Sequence, residues 1–255
     1  MLRSVRTASV TIVTRIMAAR LSRELEQKAG AVRAGLAAAR LHFGRLIYSN
    51  SLGAEAMVLT DIIWSHLPQI EVFSIDTGRL HEETYALLEK LQRRYRRQLR
   101  LVYPDAQALE ALVAAQGVNG FYHSIEARLD CCRIRKVEPF RRAIAGFPAW
   151  VTGVRREQSA DRARGQSVAW DAEHGLYKVS PLLDWSEAEV WQYIRAYGLP
   201  YNPLHDRQFP SIGCSPCTRA IQPGESRRAG RWWWEQPESR ECGLHPRVRP
   251  AALPA

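Results

Sequence analysis

Long apolar runs are missing from this 255-residue chain. Nothing in it approaches the ~20 consecutive apolar residues that a membrane helix needs, so a helical span is not expected. A secretory signal is not expected either: Arg15 interrupts the short apolar stretch Val10 to Val13, and no small-residue cleavage site follows. The five cysteines are therefore not expected to form an extracellular disulfide framework. There is no internal repeat and no low-complexity linker. No Gly-Lys-Ser/Thr is present at the first loop, which excludes a Walker phosphate site. Acidic residues are few, 26 against 36 lysines and arginines, and the formal net charge of +10 implies an anionic partner.

What is present fits one large folded unit. The chain is 46% hydrophobic, 24% charged and carries eight tryptophans, enough to bury a full core and too much for disorder. The N-terminal segment has arginines, hydroxyls and no acid before Glu24, a superficial likeness to an organelle transit peptide. Because Met17 offers a second start, residues 1–20 are read instead as a disordered or misassigned extension. Residues 21–225 are expected to form the main domain and 226–255 a loop-rich tail.

Short apolar runs bounded by turn residues read as buried strands at 45–49, 70–75, around Leu101, at 149–154 and at 176–181. Helical patterns lie between them. Leu80, Leu87, Leu88, Leu91 and Tyr95 share one face. Ser186 with Glu189 forms a capping box, Val190, Tyr193, Ile194 and Tyr197 form a stripe, and Gly198 stops that helix. This alternation predicts an α/β fold: a parallel sheet with helices on both faces.

In such sheets ligands sit beyond the carboxyl ends of the strands. The loop after the first strand, Ser49-Asn-Ser-Leu-Gly53, offers the hydroxyls of Ser49 and Ser51. There Leu52 and Gly53 lead into a helix whose free N–H groups suit an anion. The second loop places Asp76, Thr77, Gly78 and Arg79 at a strand end, where an acid can hold ribose hydroxyls and an arginine can meet phosphate. Either loop is also an ordinary turn sequence.

The cysteines are more specific. Cys131 and Cys132 are adjacent, Cys214 and Cys217 form Cys-Ser-Pro-Cys, and Cys242 is left over. Two pairs make a four-thiolate set suited to zinc or an iron–sulfur cluster, and the vicinal pair favours the latter. Four packed free thiols are the bland alternative. Basic residues flank these pairs: Lys136 after the first, Arg155 and Arg156 in Thr-Gly-Val-Arg-Arg, then Arg228 and Arg231 after the second. Trp232, Trp233 and Trp234 could stack bases, which keeps a zinc-stabilised nucleic-acid binder open, but no nucleic-acid motif accompanies them.

Eight segments together resemble the assimilatory adenylyl-sulfate reductases, the cluster-bearing branch of the adenylyl-sulfate and phosphoadenylyl-sulfate reductase family. They are SNSLGAEAMVLTDII, SIDTGRLHEETY, CCRIRKVEPF, TGVRREQS, SPLLDWSEAEVW, PYNPLHDRQFPSIGCSPCTR, AGRWWWE and ECGLH, in family order from about Tyr48 to His245. The resemblance implies an adenine nucleotide α-hydrolase-like (PP-loop type) fold and a cytoplasmic enzyme of sulfate assimilation and cysteine biosynthesis. Such an enzyme reduces adenylyl sulfate to sulfite and AMP, with thioredoxin or glutaredoxin as reductant. It implies a [4Fe-4S] cluster on Cys131, Cys132, Cys214 and Cys217, acting electrostatically. It makes Cys242 the nucleophile, passing through a Cys-S-sulfonate. The phosphorylated substrate, or both substrates, stays open. ATP pyrophosphatase chemistry is disfavoured, since Ser-Gly-Gly-x-Asp-Ser is replaced at the first loop. His245 could lower the Cys242 pKa, although a tail histidine is more often solvated. No nucleic-acid or membrane partner is expected, and homo-oligomerisation stays open.

Overall fold

Apolar residues on alternate strand positions feed two separate cores. Leu46 and Tyr48 of the first strand join one, while Ile47 between them joins the other, as the two-residue period of a strand requires. The computed structural model describes residues 21–236 and Leu244. The expected N-terminal extension, 1–20, lies outside the described residues.

Among the described residues six strands form one sheet: β1 (Leu46–Ser49), β2 (Glu71–Ile75), β3 (Arg100–Val102), β4 (Ala149–Val151), β5 (Val168–Asp171) and β6 (Leu176–Val179), in the order β3-β2-β1-β4-β6-β5. All pairings are parallel except β5 with β6. The expected parallel sheet is present, and β5 is a correction to it. Its half-exposed, mixed sequence Val-Ala-Trp-Asp lacks the apolar run of a buried strand, because it is an edge strand returning through a turn at Gly175, where φ is 68°. Asp171 at its end accepts bonds from Trp150 Nε1 at 3.2 Å and pairs with His174 Nδ1 at 3.0 Å.

The larger core lies under α1 (Arg23–Phe43), α2 (Ala54–His66), α3 (Glu82–Tyr95) and α8 (Glu187–Ala196). Helix α1 opens on Ser22, whose hydroxyl accepts from Leu25 N at 3.2 Å, and buries Leu25, Val32, Leu36 and Ala39 at helical spacing. In α3 the buried face carries Thr84, Leu87 and Leu91, with Leu88 and Tyr95 half-buried beside it. Leu80 precedes the helix. The α8 capping box is present in both directions: Glu189 N donates to Ser186 Oγ at 3.2 Å and Ser186 N to Glu189 Oε2 at 2.7 Å. Val190, Tyr193 and Ile194 are buried, but Tyr197 is 47% exposed, because it follows the last helical residue and leaves the stripe.

On the opposite face α6 (Glu138–Ile144) covers Ile47, Phe73 and Trp150 with Phe140, Ala143 and Ile144. The remaining α-helices among the described residues are α4 (Ala106–Gln116), α5 (Ile125–Cys132) and the short α7 (Ala160–Ala163). A π-helical turn, Arg133–Val137, joins α5 to α6. Among the described residues after α8, only 3-10 turns and an isolated bridge between Thr218 and Arg231 follow, as the proline- and glycine-rich sequence predicts.

Candidate active site

Strand order reverses between β1 and β4, and the loops leaving those two strands part there to open a cavity of about 270 Å³. The loop after β1 is shaped by Asn50. Its Nδ2 donates to Thr60 Oγ1 at 2.7 Å and its Oδ1 accepts from Leu52 N at 2.7 Å, which holds Leu52 at a left-handed φ of 60°. Gly53 then starts α2 with no side-chain cap, so the first-turn N–H groups are left for an anion. Ser49, Ser51, Leu52 and Gly53 all line the cavity.

The loop after β2 divides. Thr77 lines the cavity. Asp76 instead turns back on its own loop, accepting from Gly78 N at 2.8 Å and Tyr85 Oη at 3.0 Å. Gly78 has a φ of 70°, and Arg135 Nη1 donates to the neighbouring Thr77 carbonyl at 2.6 Å. Arg79 faces away from the larger cavity, donating to the Val118 carbonyl, with its Cζ 4.9 Å from the Phe121 ring centroid.

Among the basic residues, Lys136, Arg155, Arg228 and Arg231 reach the cavity and Arg156 does not. Arg156 bonds to Asp184 at 2.5 Å and to the carbonyls of Ala163 and Gly165. Arg155 is buried and its charge is met by Glu55 and Glu157, each at 2.8 Å. Arg231 has no carboxylate partner among the described residues. Its Nη1 lies 3.4 Å from Ser211 Oγ and from the Ile212 carbonyl, and its buried Nε has no partner. Gly213 makes room for it, since a Cβ there would stand 2.5 Å from Arg231 Cζ. Asn50, Gln158, Arg162 and His205 also line the wall; sequence reasoning passed over them. Asn50 sits between the two serines already singled out, which was a usable signal. Nothing in Pro-Leu-His-Asp marks His205.

The four paired cysteines meet in a second, small cavity. Cys131, Cys132, Cys214 and Cys217 line it together with Arg79, Arg128, Arg135 and Lys136, and among the described residues no carboxylate does. They reach it from two elements, the end of α5 and the 3-10 turn Ser215–Cys217. Ser215 N donates to the Arg79 carbonyl at 2.7 Å, and Trp232 N to the Cys217 carbonyl at 3.1 Å, which ties the second pair to the β2 loop and the tryptophan segment. Burial by itself would push the Cys214 thiol up, but Lys136, the Thr77 hydroxyl 3.2 Å away, Arg231 and Arg135 hold it below its ordinary value. Burial and then the neighbouring Cys214 push Cys217 up to about 12. Burial likewise raises Cys131. Among the described residues no three His, Cys, Asp or Glu side chains close on a point as ligands of a single ion would. Lys136, Cys214 and Trp232 border both cavities.

Cys242 and His245 lie outside the described residues. Leu244 is described: it lines the larger cavity and packs with Ile75, Val102 and Phe147 against the second core.

Residues 45–220 match the family model of the phosphoadenosine phosphosulfate reductase domain. The chain belongs to this family. It is 52% identical over 214 residues to the adenosine 5'-phosphosulfate reductase of Allochromatium vinosum, covering 82% of this chain and 84% of that one. Among solved structures, the phosphoadenylyl-sulfate reductase of Candida auris, in a phosphate complex, superposes with a TM-score of 0.64 at 25% identity, over 79% of this chain and 98% of that one. FMN adenylyltransferase of Candida glabrata, at 17% identity and a TM-score of 0.56 over 84% of this chain and 75% of that one, shares the fold alone. The reductase-family assignment thus agrees with the α/β architecture and with both cavities falling inside or next to the matched residues.

Proposed function

We propose that this protein reduces adenylyl sulfate to sulfite and AMP, in sulfate assimilation, drawing two electrons from a dithiol protein such as thioredoxin or glutaredoxin. The observation that carries the reading is Leu244 in the wall of a cavity that also holds Lys136, Arg228 and Arg231. Only Gly243 stands between Cys242 and Leu244, so their Cα atoms are at most about 7 Å apart. On this reading, that tether keeps the Cys242 thiol within reach of an anion-binding chamber. Residues 226–255 act on this reading as a tail that presents the nucleophile.

The chemistry follows from the charges. The nucleotide's phosphate takes the α2 N-terminus and the hydroxyls of Ser49 and Ser51, while Lys136, Arg228 and Arg231 meet the negative charge of the phosphosulfate. The Cys242 thiolate attacks the sulfate sulfur. The sulfur–oxygen bond to phosphate breaks, and AMP leaves with the electron pair. Cys242 then carries an S-sulfonate. A thiolate of the reductant attacks Cys242 Sγ, sulfite departs with the bonding pair, and the reductant's second thiol resolves the mixed disulfide.

The four thiols of the smaller cavity fit a [4Fe-4S] cluster by their chemistry: four soft donors, no competing carboxylate among the described residues, and four cationic side chains to offset the thiolate charge. Bound there, the cluster would supply an electrostatic element beside Lys136 and would pass no electrons to the substrate.

Anaerobic incubation of the protein with adenylyl sulfate and no reductant should add one sulfonate to the peptide containing Glu241-Cys-Gly-Leu-His245. Reduced thioredoxin should remove that mass and release sulfite. An adduct on another cysteine, or sulfite release by Cys242→Ser, would refute the assignment. Parallel assays with the 3'-phosphorylated substrate decide between the two nucleotides.

A further inference from the structure

Trp232 has a φ of 44° and is 1% exposed. A bulky residue seldom occupies this left-handed region, and such conformations persist where the surroundings over-determine them, often at functional sites. Two guanidiniums stand over its ring, with Arg128 Cζ 4.9 Å and Arg231 Cζ 4.5 Å from the centroid. Arg128 lines the cysteine cavity, Arg231 the larger one, and Trp232 both.

The two arginines are held very differently. Arg128 is 0% exposed and meets Glu235 with both arms of its fork, Nε to Oε1 at 2.8 Å and Nη2 to Oε2 at 2.7 Å. Glu235 N in turn donates to the Trp232 carbonyl at 2.9 Å, so the carboxylate rides on the same turn as the strained residue. The Arg231 side chain has, among the described residues, only the two long hydrogen bonds given above and no carboxylate. One cation is fixed and neutralised. The other stays available to an anion but leans on the same indole.

We propose that Arg128 and Glu235 are positioning residues: their buried ion pair holds Trp232 in its left-handed turn, and through that ring seats the Arg231 guanidinium in the substrate cavity. The inference rests on the reading that this cavity takes a sulfonucleotide. A pair that merely stabilised the fold would weaken ligand binding to the same degree whether or not Arg231 were present. A pair that acts through Arg231 would not.

The test is a double-mutant cycle read by AMP binding to the anaerobically purified full-length protein. Glu235→Gln removes the charge at constant size. Glu235→Asp keeps the charge but shortens the reach, and serves if the first variant folds poorly. Relative to the unaltered protein, Glu235→Gln should weaken AMP about tenfold and Glu235→Asp about threefold, with iron and sulfide content unchanged. In an Arg231→Ala background each should cost less than about twofold. Equal losses in both backgrounds would overturn the inference while leaving the cavity's function standing. No AMP binding by the unaltered protein would overturn both.

Discussion

Gly213 and Arg231 compete for one space: a Cβ on Gly213 would stand 2.5 Å from Arg231 Cζ. The guanidinium is the movable partner, so Gly213→Ala should displace it from the cavity wall. Losing a charge-assisted pair costs roughly 1.5–3 kcal/mol, or about tenfold to a hundredfold in affinity. Arg231→Ala should weaken adenylyl sulfate by that factor, and Gly213→Ala should approach it. Equilibrium titration in a Cys242→Ser background measures both, and unchanged affinity in Gly213→Ala would show that Arg231 keeps its place.

Because the two cysteine pairs reach one cavity from different elements, removing a donor from either side should empty it. Cys131→Ser and Cys217→Ser should each lose the brown chromophore together with iron and sulfide. Metal and sulfide analysis checks this without reference to turnover. Wild-type iron and sulfide in both variants would rule the four-thiol assignment out.

His205 is held below its usual pKa chiefly by burial, against the opposing charge of Glu55. Burial likewise lowers His81. A folded-state pKa below the unfolded value means the unfolded chain takes up protons first, so stability is full above the unfolded pKa near 6.5 and declines as pH falls below it. The melting temperature should drop between about pH 7.5 and pH 5.5. His205→Gln should flatten that slope. An unchanged slope in the variant would mean that His205 does not supply it.

Ser186 caps α8 through a reciprocal pair of bonds with Glu189, whose carboxylate also takes Lys28 Nζ at 2.6 Å. Ser186→Ala should cost about 1 kcal/mol, a shift of roughly 2–4 °C in Tm for a chain of this size. Calorimetry reads it, and catalysis should be unaffected at temperatures where the variant is folded.

The strands and the α8 cap were legible because they depend on local patterns: apolar runs between turns, and a hydroxyl three residues ahead of a glutamate. Strand β5 was not, since an exposed edge has no apolar signature and its pairing with β6 is decided by the turn at Gly175. The first loop's place in the cavity wall was legible because a helix start follows it directly. The second was only half legible. Asp76 and Thr77 are neighbours in sequence, yet one carboxylate is consumed by its own turn while the other side chain faces a cysteine. Arg155 and Arg156 diverge in the same way, and composition cannot tell adjacent arginines apart. His205 became visible only when the chain had folded, because its place in the wall is set by how the segment after α8 runs.

The π-helical turn Arg133–Val137 makes the length of this segment as consequential as its residues. A π turn carries one residue more than an α-helical turn. Deleting any single residue there would let the helix close normally and would rotate everything beyond it by about 100°. Cys131 and Cys132 on one side, and Phe140 and Ile144 on the other, could then no longer both face their present neighbours. Either the thiols would turn from Cys214 and Cys217, or the apolar pair would leave the core under β1 and β4. Insertions and deletions should therefore be tolerated far less in this turn than substitutions at its exposed Arg133.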